Sequence, residues 1–205
     1  MKFQVPRGTR DILPPDSDRW AEIEDQARRI LGSYGYREVR TPIFEATELF
    51  VRSVGESTDI VRKELYTFLD RTGRSLTLRP EGTAPLVRAY LESPVLRQES
   101  PARLCYLGPM FRYERPQAGR YRQFWQIGAE LLGSMEPSAD AEMIDLLVSI
   151  LRAVGLPNVK VLLNSLGDAA CRPVYREQVR EYFGRHLDRL CEDDRERWKT
   201  NPLRI

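Results

Sequence analysis

The amino-acid sequence predicts an α+β fold in which a mostly antiparallel sheet is flanked by helices. Runs with strand-like alternation follow one another through short turns, while segments with helical periodicity stand in separate blocks. The patterns G-x-G-x-x-G and G-x-x-x-x-G-K-[ST] do not occur, which excludes nucleotide binding by those loops. With 205 residues, 41% of them hydrophobic and 30% charged, the composition is that of a globular domain.

The first third of the chain predicts an irregular arm, two helices and a strand. Prolines and a glycine between residues 3 and 15 favour irregular structure in the arm. Apolar residues at helical spacing then indicate a helix that Asp16 or Ser17 caps and Gly35 ends. The elements expected next are a short strand at 36–40, a second helix at 44–50 and a polar loop at 53–63.

The middle of the chain predicts a hairpin that leads into a helix. Residues 65–69 and 75–78 alternate as strands on either side of a glycine-containing turn. The sequence Arg-Pro-Glu-Gly-Thr at 79–83 follows, with Thr83 as the candidate cap of a helix at 84–91. A link between Pro94 and Pro101 and a long strand at 104–112 come next.

The last third predicts two helices and a buried strand. Ser138 is the candidate cap of a helix that runs to about Val154. The continuous apolar run at 159–163 predicts a buried strand. A helix is expected at 171–190, with Val174, Val179 and Tyr182 among its buried positions.

Residues 111–133 carry the most informative pattern. A polar loop at 115–120 separates the strand at 104–112 from a predicted strand at 121–132. Because side chains alternate along a strand, one face of the second strand carries an aromatic ring, an amide, a gap and a carboxylate. These residues are Phe124, Gln126, Gly128 and Glu130. The pattern predicts a floor for a polar ligand, with Gly128 as a gap that lets the ligand approach the backbone.

The other face of this strand predicts ordinary core packing, because it carries Trp125, Ile127, Ala129 and Leu131. On the preceding strand Arg112 and Glu114 share a face, and a hairpin can bring them beside the floor.

Cysteine usage and charge exclude several classes of site. Cys105, Cys171 and Cys191 show no paired spacing and predict free thiols in a reducing cytoplasm. We expect no zinc site, because His186 is the only histidine and no Cys-x-x-Cys occurs.

The net charge of +2 does not by itself indicate nucleic-acid binding. No signal peptide or apolar membrane span is recognised, so we expect a cytoplasmic protein.

Several segments together resemble the class II aminoacyl-tRNA synthetases, and specifically histidyl-tRNA synthetase. The segment around 36–50, with Arg-Thr-Pro-Ile-Phe-Glu at 40–45, resembles motif 1, and the segment around 104–133 resembles motif 2. The other matching segments are Arg-Gly-Thr-Arg-Asp at 7–11, Leu-Arg-Pro-Glu-Gly-Thr at 78–83 and Leu-Asn-Ser-Leu-Gly at 163–167. The resemblance covers essentially residues 1–205 and implies an incomplete class II catalytic domain.

The resemblance implies an enzyme that activates histidine with ATP and Mg²⁺ to an adenylate and transfers it to tRNA(His). It assigns ATP contacts to Arg112, Glu114, Arg120 and Phe124, and histidine contacts to Glu81, Thr83, Gln126 and Glu130. Arg112 is the catalytic arginine in this assignment, because a guanidinium can bind the α-phosphate and a carboxylate with two parallel hydrogen bonds. The carboxylate of Glu130 would accept a hydrogen bond from an imidazole N–H.

Each residue also has a purely structural interpretation. Arg112 and Glu114 could form an ordinary surface ion pair, and Phe124 could belong to the core. Glu81 and Thr83 could serve only as a helix cap, and Glu130 could lie at an exposed strand edge. For His186 we expect a structural or solvent-facing role.

The sequence departs from the family pattern in two ways. Trp125 stands where the family commonly has histidine, and alternation places it away from the floor, so we expect a packing change. The family's third motif, inserted domain and anticodon-binding domain are absent from the 205 residues. Because these parts are missing, we expect little adenylation activity from this chain alone. Motif 1 forms the dimer interface in the family, so the resemblance also implies a homodimer through that segment. Two alternatives are a histidine-sensing regulatory subunit of ATP phosphoribosyltransferase and a non-catalytic interaction module.

Overall fold

Seven helices and six strands are present in the part of the chain that the computed structural model describes, namely residues 3–55, 58, 60–115, 117, 119–165 and 167–205. The helices are α1 (Asp16–Ser33), α2 (Thr47–Val54), α3 (Thr83–Glu92), α4 (Pro94–Arg97), α5 (Pro137–Ala153), α6 (Cys171–Gly184) and α7 (Glu192–Thr200). The strands are β1 (Arg37–Glu38), β2 (Phe44–Ala46), β3 (Tyr66–Leu69), β4 (Ser75–Leu78), β5 (Ala102–Phe111) and β6 (Gln123–Leu132).

The chain forms two compact units, Met1–Val159 and Lys160–Ile205. Positions 56, 57 and 59 of the loop predicted at 53–63, positions 116 and 118 of the loop at 115–120, and position 166 lie outside the described residues. None of the described helices has the length and apolar content that a membrane span requires.

A three-stranded sheet in the order β1-β5-β6 forms the centre of the first unit. β5 and β6 pair antiparallel along their whole length, and the short β1 runs parallel to β5. This pairing confirms the two long strands that the sequence predicts on either side of the polar loop.

Helices cover both faces of this central sheet. On one face Leu86 of α3 packs against Leu104 and Met110 of β5, and all three side chains are fully buried. On the other face Cys105 packs with Leu31 of α1 and Leu146 of α5. The burial of this apolar surface supplies the main stabilisation of the sheet.

A second three-stranded sheet has the order β2-β4-β3 and is antiparallel throughout. The hairpin of β3 and β4 confirms the prediction from the alternating runs. The helix predicted at 44–50 is wrong at its start, because Phe44–Ala46 forms β2 on the free edge of β4. Helix α2 begins only at Thr47, after the chain leaves that edge.

The predicted caps of α1 and α5 are wrong. Pro15 occupies the cap position of α1, without a side-chain cap bond, so neither Asp16 nor Ser17 has that role. Ser138 lies inside α5, whose cap position is Glu136.

The second unit is helical and contains no strand in its described residues. Helix α6 ends at Gly184, earlier than predicted, and the indole Nε1 of Trp198 in α7 donates a hydrogen bond to the carbonyl of Arg180 in α6 at 2.8 Å. The buried strand predicted at 159–163 is wrong: Leu162 and Leu163 are each 81% exposed. A strand requires a hydrogen-bonding partner, and no described strand pairs with this segment.

Burial within α6 also differs from the prediction, because Val174 and Tyr182 are each 60% exposed.

The three cysteines are unpaired, as predicted. Cys105 is the buried one, and burial raises the pKa of its thiol to about 11.

Candidate active site

The predicted floor lies on the face of the central sheet that α3 partly covers. Phe124, Gln126, Gly128 and Glu130 of β6 pair with Met110, Gly108, Tyr106 and Leu104 of β5. Directly paired residues project from the same face, so both sets belong to one surface. Because a strand rises about 3.3 Å per residue, Phe124 and Glu130 lie roughly 20 Å apart along β6.

At one end of the floor, Phe124 lies beside Arg112. The guanidinium carbon of Arg112 is 5.1 Å from the centre of the Phe124 ring, and its Nε donates a hydrogen bond to the carbonyl of Pro80 at 2.9 Å. The structure therefore brings a cation and an aromatic ring together, as the sequence predicts.

Glu114 and Arg120 lie near this end, just before the loop and at its last residue. Arg120 Nη1 is 3.7 Å from Glu114 Oε2, and Arg120 is the more exposed partner at 65% against 21%. The ion pair therefore links Glu114 with Arg120 rather than with Arg112. An exposed pair of this length contributes little to stability.

At the other end, Thr83 and Glu130 form a direct contact. The hydroxyl of Thr83 donates a hydrogen bond to Glu130 Oε1 at 2.7 Å. Burial raises the pKa of the Glu130 carboxyl, the Thr83 hydroxyl opposes that shift, and the nearby charge of Glu81 adds to it. Glu130 is partly buried beside a donor, although β6 is the edge strand of the described sheet.

Glu81 caps helix α3, a role that the sequence suggests for both Glu81 and Thr83. Its two carboxylate oxygens accept hydrogen bonds from the backbone N–H groups of Thr83 at 2.6 Å and Ala84 at 3.0 Å. The prediction that Thr83 caps this helix is wrong, because Thr83 is its first residue and its hydroxyl points to Glu130. Carboxylates suit this position because helix N-termini carry unpaired N–H groups and a partial positive charge.

Gln126 carries the unsatisfied group of the floor. Its side-chain oxygen Oε1 is buried and has no hydrogen-bond partner among the described residues. Most buried polar atoms in proteins are paired, so a buried, unpaired acceptor on this face indicates a missing donor. An ammonium group of a ligand would supply that donor.

Tyr106 is a site residue that the sequence pattern does not predict. It is 8% exposed, and its ring fills the space above two glycines, because a Cβ at Gly82 or Gly128 would overlap it. Burial raises the pKa of its hydroxyl, which also interacts with Thr83 and the Gly82 backbone. The role predicted for Gly128 is therefore wrong: the tyrosine ring, not a ligand, takes up the space. Tyr106 is paired with Gly128 on the neighbouring strand, a register that the sequence does not reveal.

Arg79 has a structural role beside the site. It is 6% exposed, and its guanidinium donates to the carbonyls of Pro109 and Thr41 at 2.9 and 3.1 Å. Burial lowers the pKa of Arg79. These bonds join the end of β4 to β5 and to the segment before β2, so Arg79 fixes the strand that precedes Glu81.

Two further predictions concern residues away from the floor. The Trp125 ring lies edge-on to Trp20 of α1, 5.5 Å between centres, which confirms packing on the opposite face. His186 lies 5.2 Å from the Tyr182 ring in the second unit, consistent with the structural role expected of it. Among the described residues, no group of three or more His, Cys, Asp or Glu side chains is arranged to hold a metal ion.

Comparison with known proteins identifies relatives along the whole chain. The family model for histidyl-tRNA synthetase matches residues 8–176. A histidine--tRNA ligase of Halothermothrix orenii is 57% identical over 205 residues, which are 100% of this chain and 49% of that protein. The chain thus spans about half the length of the curated relatives it matches.

Two solved structures extend the comparison. Apo histidyl-tRNA synthetase of S. aureus aligns with 100% of this chain and 48% of its own, at a TM-score of 0.74 and 42% identity. A Bacillus halodurans C protein described as an ATP phosphoribosyltransferase regulatory subunit/histidyl-tRNA synthetase aligns with 97% of this chain and 55% of its own, at a TM-score of 0.71 and 30% identity.

Proposed function

The chain belongs to the histidyl-tRNA synthetase family, and we propose that it forms part of the catalytic domain of a histidine--tRNA ligase. In the proposed reaction, histidine and ATP form histidyl-adenylate and pyrophosphate, and the histidyl group is then transferred to tRNA(His). No covalent enzyme intermediate is required, so the protein acts mainly by positioning groups and stabilising charge.

The unpaired acceptor of Gln126 is the observation that carries this proposal. It lies on the same strand face as Phe124 and Glu130, between a stacking ring and a carboxylate. An amino acid with a cationic amino group and a ring N–H would satisfy both acceptors at once. Histidine has these two donors in one molecule.

We assign ATP to the Phe124 end. A purine can stack on an aromatic ring such as Phe124, and stacking of this kind contributes about 1–3 kcal/mol per base. The guanidinium of Arg112 beside that ring would then meet the α-phosphate, where charge develops as the pyrophosphate leaves. Glu114 would contact the adenine amino group, and Arg120 the distal phosphates. Mg²⁺ would accompany the ATP, because it is usually bound through substrate phosphates.

We assign histidine to the Glu130 end. Glu130 would accept a hydrogen bond from the imidazole N–H, while Thr83 holds its carboxylate in place. Gln126 would accept from the α-ammonium group. Glu81 would share that ammonium only through its remaining lone pairs, since both of its oxygens already accept backbone N–H groups.

We also propose the homodimer, the cytoplasmic location and the incomplete catalytic domain that the resemblance implies. Exposed apolar side chains in the motif 1 segment support a protein contact there: Ile43 is 45% and Phe44 50% exposed. Sedimentation velocity of the chain tests the dimer, and Phe44→Ser should shift it towards monomer.

The regulatory-subunit alternative is supported by the likeness to the Bacillus halodurans protein. A regulator would need the histidine end of the floor but not the ATP end. Calorimetric titration with histidine and with MgATP separates the candidates. We expect both to bind. Histidine binding alone would favour the regulatory subunit, and no binding of either would favour a non-catalytic module.

A further inference from the structure

We infer that Arg122 is a positioning residue for the ATP end of the floor and acts by joining that end to the N-terminal arm, residues 3–15. The inference rests on the proposed function, because it concerns the ATP site proposed above. It also separates two arginines, Arg120 and Arg122, that are equivalent phosphate-binding candidates by residue type alone.

The contacts of Arg122 extend in three directions. Its Nε donates a hydrogen bond to the carbonyl of Glu114 at 3.2 Å, and its Nη1 donates to the carbonyl of Arg7 at 3.4 Å. Its guanidinium carbon also lies 3.9 Å from the centre of the Tyr113 ring. The guanidinium of Arg122 is therefore bound by backbone carbonyls and an aromatic ring. The side chain of Arg120, by contrast, is exposed.

The backbone of Arg122 joins the same segments. Its N–H donates to the carbonyl of Gly8 at 2.7 Å, and its carbonyl accepts from the N–H of Arg112 at 2.9 Å. Arg122 thus holds Arg112 through its main chain and Glu114 through its side chain. These two residues carry the proposed contacts to the α-phosphate and the adenine.

Gly8 allows the arm to come this close. Its φ of +86° lies in the region that favours glycine, and a Cβ there would lie 2.7 Å from both Cγ and Cδ of Arg122. Two residues further along, Arg10 stacks over Tyr121 at 4.9 Å and over Trp20 at 5.8 Å. The arm therefore has a second attachment next to the first.

The histidine end does not use these contacts. Thr83 and Glu81 are placed by helix α3, which packs on the core. Loss of the arm contact should therefore weaken ATP binding and leave histidine binding nearly unchanged. A residue with a merely structural role would weaken both together.

The test uses the 205-residue chain with Arg122→Met, Gly8→Ala and Arg122→Lys. Arg71→Met, in the exposed turn between β3 and β4, is the charge-matched control. We expect Arg122→Met and Gly8→Ala to weaken MgATP binding by about tenfold, the effect of losing one or two hydrogen bonds to charged groups, with histidine affinity within about twofold. Arg122→Lys should recover part of the loss, and Arg71→Met should change neither. Unchanged ATP affinity, or equal loss of both ligands, would overturn the inference.

Amide hydrogen exchange provides a readout that does not depend on ATP. Exchange at the N–H groups of Arg112 and Arg122 should accelerate in Arg122→Met and Gly8→Ala, while the β5 and β6 amides stay protected. If the wild-type chain binds no ATP, the proposed function fails, and exchange still decides whether Arg122 holds these residues. Unaltered exchange in both variants contradicts the positioning role.

Discussion

The Glu130 end of the floor is held by a helix that packs into the core, whereas the Phe124 end is held by an arm that lies outside every helix and strand. Thr83 and Glu81 belong to the first turn of α3 and the residues before it, and Leu86 of the same helix is fully buried. Arg112 and Glu114 instead bond to Arg122, which contacts residues 7 and 8, and Arg112 also donates to the carbonyl of Pro80.

This difference affects which substrate each substitution should disturb. Regions with many buried apolar contacts open only with large free-energy changes, while regions held by a few exposed hydrogen bonds open easily. We therefore expect the histidine end to be preformed, and the ATP end to depend on the arm for its geometry.

The largest expected effect comes from Gly128→Ala at the core-supported end. The added Cβ overlaps the buried Tyr106 ring, which the core cannot accommodate without movement. The free energy of unfolding should fall by about 3 kcal/mol, and histidine binding should be lost. Gly32→Ala is the control, since a Cβ there meets nothing within 4 Å and should be neutral or stabilising by up to about 1 kcal/mol. Chemical denaturation measures both, and a mild effect at Gly128 would refute the tight packing of this end.

Glu130→Gln should have a large effect on histidine binding and the opposite effect on stability. Histidine affinity should fall by about a hundredfold, because the neutral amide is a weaker acceptor than the carboxylate. The thermal midpoint at neutral pH should rise, because burial raises the pKa of Glu130 and the ionised form therefore disfavours the fold. Calorimetry and thermal denaturation give the two values.

The size of this difference in thermal midpoint depends on pH. As pH falls through the raised pKa, the wild-type carboxyl becomes neutral and the wild type gains stability relative to the variant. The difference in thermal midpoint between the two proteins should therefore shrink on acidification. A difference that grows instead would contradict a raised pKa for Glu130.

Arg120→Met should have the smallest effect on stability and act only at the arm-supported end. Its ion pair with Glu114 is long and exposed, so the free energy of unfolding should change by no more than about 0.5 kcal/mol. ATP affinity should fall while histidine affinity stays the same. Equal losses for both ligands would contradict the division of the floor into two ends.

Much of the floor could be predicted because its pattern is local. Alternation along one strand places Phe124, Gln126 and Glu130 on one face whatever that strand pairs with. The role of Tyr106 could not be predicted in this way, because it depends on the register between β5 and β6. For the same reason the sequence pattern predicts space for a ligand at Gly128, where the structure places a neighbouring ring.

The incorrect elements have a related cause. Residues 44–46 satisfy a helical pattern, yet they form β2 because β4 offers an unpaired edge. Residues 159–163 satisfy a buried-strand pattern, yet no described strand pairs with them. Strand formation depends on a partner from elsewhere in the chain, and composition does not reveal that partner.

The sequence by itself determined the α+β class, the two long strands and the residues that share the floor, because helical and strand periodicity are properties of consecutive residues. Only the tertiary structure decided that Thr83 donates to Glu130, that Tyr106 fills the space at Gly128 and that the N-terminal arm holds Arg122. These contacts join segments far apart in the chain, and their geometry is set by packing rather than by local pattern.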